Sequence, residues 1–335
     1  MKKQKYLTGI TCTGIPHLGN YVGAIRPAIE SSKDDNKSSF YFMADLHALI
    51  KCQDPALVNE SSLAIAATWL AFGLDTDKAV FYRQSDVPEI SELCWMMNCV
   101  AAKGLLNRAH AYKATVDANT QDGNDPDYAV TMGLYSYPVL MAADILMFNA
   151  NKIPVGRDQI QHVEMARDIA GRFNHIYGEM FELPEAVVDD NMSVLKGLDG
   201  RKMSKSYNNT IPLFLEEKKL RKHINKIKTN LLEPGEPKDA DSSTVFQLWE
   251  AFATPEQTAA MREEFANGIA WGEAKKQLFE LINEQLKEPR ERYNELVQNP
   301  AEIEAVLQKG AEKAREISVP FIQSLKEAVG IKRFS

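Results

Sequence analysis

The chain has 335 residues, 44% of them apolar and 25% charged, with a formal net charge of -7. That is enough for about two domains of roughly 150 residues and a sizeable core. The acidic balance excludes a uniformly basic RNA-coating protein, while leaving room for a local basic patch. Cys12, Cys52, Cys94 and Cys99 match no zinc or iron–sulfur spacing and read as reduced cytosolic thiols. Lys2, Lys3 and Lys5 precede no apolar run, so no signal peptide is expected. No stretch approaches the roughly 20 apolar residues of a membrane span.

Tyr6-Leu7-Thr8-Gly9-Ile10 reads as a buried strand ended by a glycine-containing turn. Thr13-Gly14-Ile15-Pro16-His17-Leu18-Gly19-Asn20 follows, then a helical pattern to about Ser32. A strand, a glycine-bearing turn and a helix N-terminus together offer amide N–H groups and a dipole to an anion. Gly19 lets a nucleotide approach the backbone, and His17 can donate to phosphate oxygens, although a lone His at a turn is more often structural. Ser39 to Ala44 is strand-like, with Asp45-Leu46-His47 at its carboxyl end. A helix over about Pro55 to Phe72, a strand Ala79 to Tyr82 and a helix over about Glu89 to Leu106 come next. This alternation predicts an α/β fold, a Rossmann-like doubly wound parallel sheet, with ligands at the carboxyl ends of its strands. Gly9, Thr11, His17 and His47 fall at such ends. From Arg108 to Asp127 the sequence is polar and aperiodic; a surface excursion is favoured over phosphate contacts from Arg108 and Lys113.

Tyr137 to Met147 reads as a helix, with Pro138 acceptable only near its start. Tyr137, Met141 and Asp144 share one face. A buried carboxylate is costly without a donor, so either a protein group or a ligand must satisfy Asp144. In the ligand reading this face is an apolar slot with one acceptor, suited to a flat aromatic N–H donor such as indole. Lys152 to Val155 then reads as a short strand ending at Gly156. Asp158 is either a plain N-cap or a ribose-binding carboxylate, and Gln159 faces an amino-acid ammonium or carboxylate. Lys202-Met203-Ser204-Lys205-Ser206, between glycines and polar residues, reads as a mobile loop whose two lysines suit a phosphate clamp. The pattern after Pro212 is helical. Its locally basic run at 216–228 is either a solvated face or a contact for RNA phosphates.

The segments Pro16-His17-Leu18-Gly19-Asn20 and Lys202-Met203-Ser204-Lys205-Ser206, about 180 residues apart, resemble the two signatures of class I aminoacyl-tRNA synthetases. Tyr137 to Leu146 with Gly156-Arg157-Asp158-Gln159 resembles the tryptophan-specific bacterial branch. The resemblance runs from Leu7 to the C-terminal helix and is weak from about Pro234 to Asn299. It implies activation of L-tryptophan by ATP with Mg²⁺, transfer to tRNA(Trp), a cytoplasmic homodimer and no dedicated metal ligands. It implies catalytic roles for His17, Asn20, Lys202 and Lys205. ATP would also meet Thr11, Cys12, Thr13, Gly19, Gly156, Arg157, Asp158, Leu195, Met203, Ser204 and Ser206. Tryptophan would meet Gly9, His47, Tyr137, Met141, Asp144, Ile153, Val155 and Gln159. Expected divisions are a catalytic domain over 1–211, a helical anticodon-binding domain over 212–300, and a C-terminal helix over 301–335 that packs back on the first. Two departures stand out: Asn20 replaces the last His of the first signature, and Thr11 stands where many bacterial members have Gln. The weighed alternatives are a tyrosine-specific synthetase of the same class, a small-molecule nucleotidyltransferase and an inactive RNA-binding paralogue.

Overall fold

A computed structural model describes residues 3–188 and 195–334. Strands β1 (Gln4–Thr11), β2 (Lys37–Ala44), β3 (Val80–Arg83), β4 (Lys152–Pro154) and β5 (Glu185–Val187) form a parallel sheet in the order β3-β2-β1-β4-β5. The expected Rossmann-like α/β fold is therefore present. β1 pairs with β2 from Gln4↔Lys37 to Thr11↔Ala44, and β4 joins the other edge of β1 at Tyr6↔Lys152. The chain winds outward through β2 and β3, then returns to the far side of β1. The gap between the carboxyl ends of β1 and β4 is thus the topological switch point, where open α/β sheets bind ligands.

β2 shows why the sheet is covered on both faces. Phe40 and Phe42 enter one buried cluster, with Val139, Val163 and Phe173. Tyr41 and Met43 point the other way, into a cluster with Ile25, Ile65 and Trp69. Successive strand residues face opposite sides, so a doubly covered strand reads as a continuous apolar run. β5 escaped the sequence reading because three residues, Glu185-Ala186-Val187, are too few to show a period.

Three helical expectations need correction. The 89–106 segment is broken into Glu89–Asn98 and Lys103–Leu106, with no glycine or proline at 99–102 to announce the break. The polar stretch after Arg108 lies on the surface but contains a helix, His110–Gln121, none of whose residues is buried. A helix that buries no face carries no apolar period to read. The helix around Pro138 starts at Met132, where Thr131 accepts from the Leu134 amide at 3.2 Å, so Pro138 lies in its second turn.

The last third is helical: Glu217–Asn225, Thr244–Phe252, Pro255–Ala266, Trp271–Gln298 and Pro300–Ala328. Its core of Leu220, Phe246, Phe265 and Ile282 also takes in Leu18, Val22, Leu195 and Met203 from the sheet side. The Pro300–Ala328 helix lies against β3 and the Glu89–Asn98 helix. Arg315 donates to Glu89 at 2.8 Å, Ser318 donates to the same carboxylate at 3.2 Å, and Lys313 reaches the Thr76 carbonyl at 2.7 Å. At Gly310 the approach is backbone to backbone: a Cβ there would lie 1.7 Å from the Phe81 carbonyl oxygen. Gly310→Ala must push the helix off β3, and overpacking of this kind costs about 1–3 kcal/mol. Urea unfolding should show a lower midpoint at unchanged slope. An unmoved midpoint would mean the helix is not seated this closely.

Candidate active site

β1 delivers Thr11 to the switch point, and the chain turns at Gly14, whose φ of 111° is open to glycine and costly for other residues. The Gly14 amide donates to the buried Ser61 hydroxyl at 2.7 Å, which ties the turn to the Pro55–Ala71 helix. His17 and Asn20 then cap each other. The Asn20 amide donates to His17 Nδ1 at 3.3 Å, and the His17 amide donates to Asn20 Oδ1 at 3.1 Å. Nδ1 is therefore an acceptor, and the ring proton resides on Nε2. Burial, assisted by the Lys205 ammonium, pulls the His17 pKa down to about 4. At neutral pH His17 is an uncharged N–H donor. The next turn, Tyr21–Ile25, is widened to a π-helix just before Pro27, which has no N–H to continue the α pattern.

The second signature reaches this turn from the far end of the chain. Its entry is held by the Met203 amide donating to the Leu195 carbonyl at 2.8 Å, and the Leu195 and Met203 side chains are buried in the helical core. Asn209, 2% exposed, holds its centre. Its Oδ1 accepts from the Ser204 amide at 2.8 Å, while its Nδ2 donates to Asp199 at 2.7 Å and the Lys202 carbonyl at 3.0 Å. Its exit is stitched to the first signature. The Leu18 amide donates to the Ile211 carbonyl at 3.0 Å, and the Leu213 amide to the Pro16 carbonyl at 3.1 Å. Lys205 Nζ consequently reaches the Thr13 carbonyl at 3.2 Å, and burial lowers the Lys205 pKa. A cleft of about 820 Å³ results. Thr11, Thr13, His17, Gly19, Asn20, Gly156, Arg157, Asp158, Leu195, Lys202, Met203, Ser204 and Lys205 all line it.

A second hollow of about 790 Å³ shares Gly9, Thr11, Thr13 and Gly156 with the first. It is also lined by His47, Tyr137, Met141, Asp144, Ile153, Val155 and Gln159. Asp144 is fully buried. Its Oδ1 accepts from Gln84 Nε2 at 2.8 Å and its Oδ2 lies 2.9 Å from His47 Nε2. Burial raises its pKa, opposed by His47 and Gln84. A carboxylate has about four acceptor positions, so two remain for a further donor. In the same hollow, Tyr137 Oη lies 2.7 Å from His162 Nε2, and His162 Nδ1 lies 2.8 Å from Gln159 Oε1.

The family model for class I tRNA synthetases of the W and Y group matches residues 1–287. The chain belongs to that family. This synthetase is 62% identical over 333 residues to the tryptophan–tRNA ligase of Pseudomonas putida, covering 98% of this chain and 74% of that one. It is 59% identical over 333 residues to that of Neisseria meningitidis, covering 99% of each. It also resembles the crystal structure of a Campylobacter jejuni tryptophanyl-tRNA synthetase with ADP and tryptophan, at TM-score 0.87 and 42% identity, covering 98% of this chain and 100% of that chain.

Two of the residues expected at the nucleotide do not line the cleft. The side chain of Cys12 is fully buried beside Ile25 and Ile29, its thiol pushed up to about 11 by burial. Thr11 and Thr13 line the cleft, and the residue between them points into the core. Ser206 is absent from the cleft lining and pairs with the Ser204 hydroxyl at 2.8 Å. Asp158 is not the cap of the following helix: Gln159 stands at that position, and Asp158 accepts from Gln159 Nε2 at 3.0 Å. The sequence reading missed Gln84, His162 and Asn209. Gln84 directly follows β3, so the strand-end rule would have found it. His162 lies one turn after Gln159. Asn209 carries no signal of its own.

The His17 imidazole should titrate near pH 4 by NMR, whereas a midpoint near 6.5 would contradict its burial. Because the folded pKa lies below the ordinary 6.5, the unfolded chain binds the extra proton between these values. Stability should fall as pH drops from about 6.5 to about 4, with a contribution on the order of 1–3 kcal/mol. His17→Gln, which cannot titrate, should show a shallower fall across that window.

Proposed function

We propose that the chain activates L-tryptophan with ATP to tryptophanyl-adenylate and transfers the tryptophanyl group to tRNA(Trp), releasing pyrophosphate and then AMP. One observation carries the site assignment: the cleft containing both signatures opens, through Gly9, Thr11 and Gly156, into an apolar hollow with a buried carboxylate. Relatives at 59–64% identity over nearly the whole chain bear the tryptophan–tRNA ligase name, which favours tryptophan over tyrosine.

In this reading ATP occupies the first cleft, with Asp158 at the ribose and His17, Lys202 and Lys205 at the phosphates. Tryptophan occupies the second, its indole N–H donating to Asp144 and its ammonium facing Tyr137 and Gln159. The tryptophan carboxylate attacks the α-phosphorus and the bond to pyrophosphate breaks. A ribose hydroxyl of the tRNA terminal adenosine, the 2′-hydroxyl by class analogy, then attacks the activated carbonyl and AMP leaves. No protein nucleophile is required. Catalysis is positioning plus stabilisation of phosphoryl charge. Mg²⁺ would arrive with ATP.

The remaining assignments are proposals of the same reading. The 1–211 segment is catalytic, 212–300 reads the anticodon, and 301–335 braces the catalytic part. The exposed lysines of 218–228 suit RNA phosphates. A homodimer is supported by Leu49, Trp95 and Met132, large apolar side chains that are 56%, 71% and 73% exposed. A cytoplasmic location fits four free cysteines, and no helix among the described residues is long and apolar enough to cross a membrane.

Lys205→Ala should slow ATP–pyrophosphate exchange at saturating substrates by about 10²–10³-fold and leave the tryptophan Kd unchanged. An unchanged rate removes Lys205 from the clamp. Asp144→Asn, which keeps volume but aims an N–H at the indole N–H, should lower kcat/KM for tryptophan by about 10²-fold or more. Selectivity over phenylalanine should fall with it, and intact discrimination would remove Asp144 from indole recognition.

A further inference from the structure

Behind the tryptophan hollow lies a histidine to which none of the foregoing assigns a role. His162 is 4% exposed and sits in the first turn of the Ile160–Tyr177 helix, yet it lines the hollow. Both ring nitrogens are engaged, and the donor directions follow from the partners. Gln159 Nε2 donates to Asp158 Oδ2 at 3.0 Å, which leaves the amide oxygen toward His162. That oxygen lies 2.8 Å from His162 Nδ1, so Nδ1 carries the proton. Burial lowers the His162 pKa, and the neutral ring keeps Nε2 as an acceptor. The Tyr137 hydroxyl, 2.7 Å away, therefore donates to Nε2. A directed chain results, from Tyr137 O–H through His162 and the Gln159 amide to the Asp158 carboxylate. Such chains polarise each bond in the same sense.

We propose that His162 is a positioning residue that makes the hollow selective for a primary ammonium group, by holding Tyr137 and Gln159 as acceptors. An alkylammonium carries three donors and no acceptor. With its own proton committed to His162, the Tyr137 oxygen turns only lone pairs to the hollow. With its oxygen held by Nδ1–H, Gln159 keeps a second lone pair free and cannot rotate its NH₂ toward the ligand. Without His162 both groups are free to present N–H or O–H to the cation, and the anchor to Asp158 slackens. The inference rests on the placement of tryptophan in this hollow.

The test combines ATP–pyrophosphate exchange with two competitive probes. Tryptamine has the ammonium and lacks the carboxylate; indole-3-propionate has the carboxylate and lacks the ammonium. In His162→Phe, or His162→Leu should the ring fit poorly, the tryptophan KM and tryptamine Ki should rise together, roughly tenfold to a hundredfold. The ATP KM, kcat and indole-3-propionate Ki should stay near wild type. His162→Gln, whose amide can donate to Gln159 and accept from Tyr137, should restore most of the tryptamine affinity. Equal weakening of both probes would make His162 merely structural and overturn the proposal, as would no weakening of either. Tyr137→Phe separates the two levels. If it leaves tryptophan KM and tryptamine Ki unmoved, the placement of tryptophan fails and the proposal with it. If it weakens tryptamine while the His162 variants do not, the role of His162 alone fails.

Discussion

Two backbone hydrogen bonds, between Pro16–Leu18 and Ile211–Leu213, hold this active site together. They join segments nearly two hundred residues apart in the chain, and they do so through main-chain groups, so their geometry is insensitive to most side-chain changes. Each contributes only about 0.5–1.5 kcal/mol net. Their importance is in register: they fix where the loop carrying Lys202 and Lys205 leaves the first signature. The Lys205 contact with Thr13 and the enclosure of His17 both follow from that register. Leu18 and Met203 share the apolar core of the helical third, so the stitch is backed by packing on its outer side.

The winding of the sheet supplies the second constraint. Because β4 returns on the opposite side of β1 from β2, the carboxyl ends diverge there and leave a crevice whose floor is Gly9, Thr11, Thr13 and Gly156. Two substrates placed on either side of that floor meet over it, which suits a reaction between a carboxylate and a phosphoryl group. The electrostatics are compatible. His17 is held neutral beside a lysine ammonium, so it adds a hydrogen-bond donor without adding like-charge repulsion. At the other end, Asp144 stays deep in an apolar wall because Gln84 and His47 already satisfy two of its acceptor positions.

The polar residues of the site form hydrogen-bonded groups in which one member fixes the orientation of another. His17 is oriented by the Asn20 amide, Asp144 by Gln84 and His47, Gln159 and Tyr137 by His162, and Ser204 by Asn209. Asn20, the departure from the usual first signature, fits this scheme. Its side chain accepts the His17 amide and so completes a reciprocal cap, a task an amide oxygen performs well at a helix start.

Local sequence determined a good deal here. Strand and helix alternation through 6–106, the glycine-bearing turn at Thr13–Asn20, the lysine loop at 202–206 and the shared face of Tyr137, Met141 and Asp144 were all legible, since each depends on neighbours within a few residues. Only the tertiary structure decided which groups face each other. That Cys12 turns inward while Thr11 and Thr13 line the cleft is set by the strand's two covered faces. That Gln84 meets Asp144 depends on chain segments brought together by packing, and that Asn209 locks the lysine loop depends on an irregular loop path that carries no period. A hydrogen bond's partner is fixed by position in space, and a linear period of 2 or 3.6 residues carries information about burial and none about who lies across the gap.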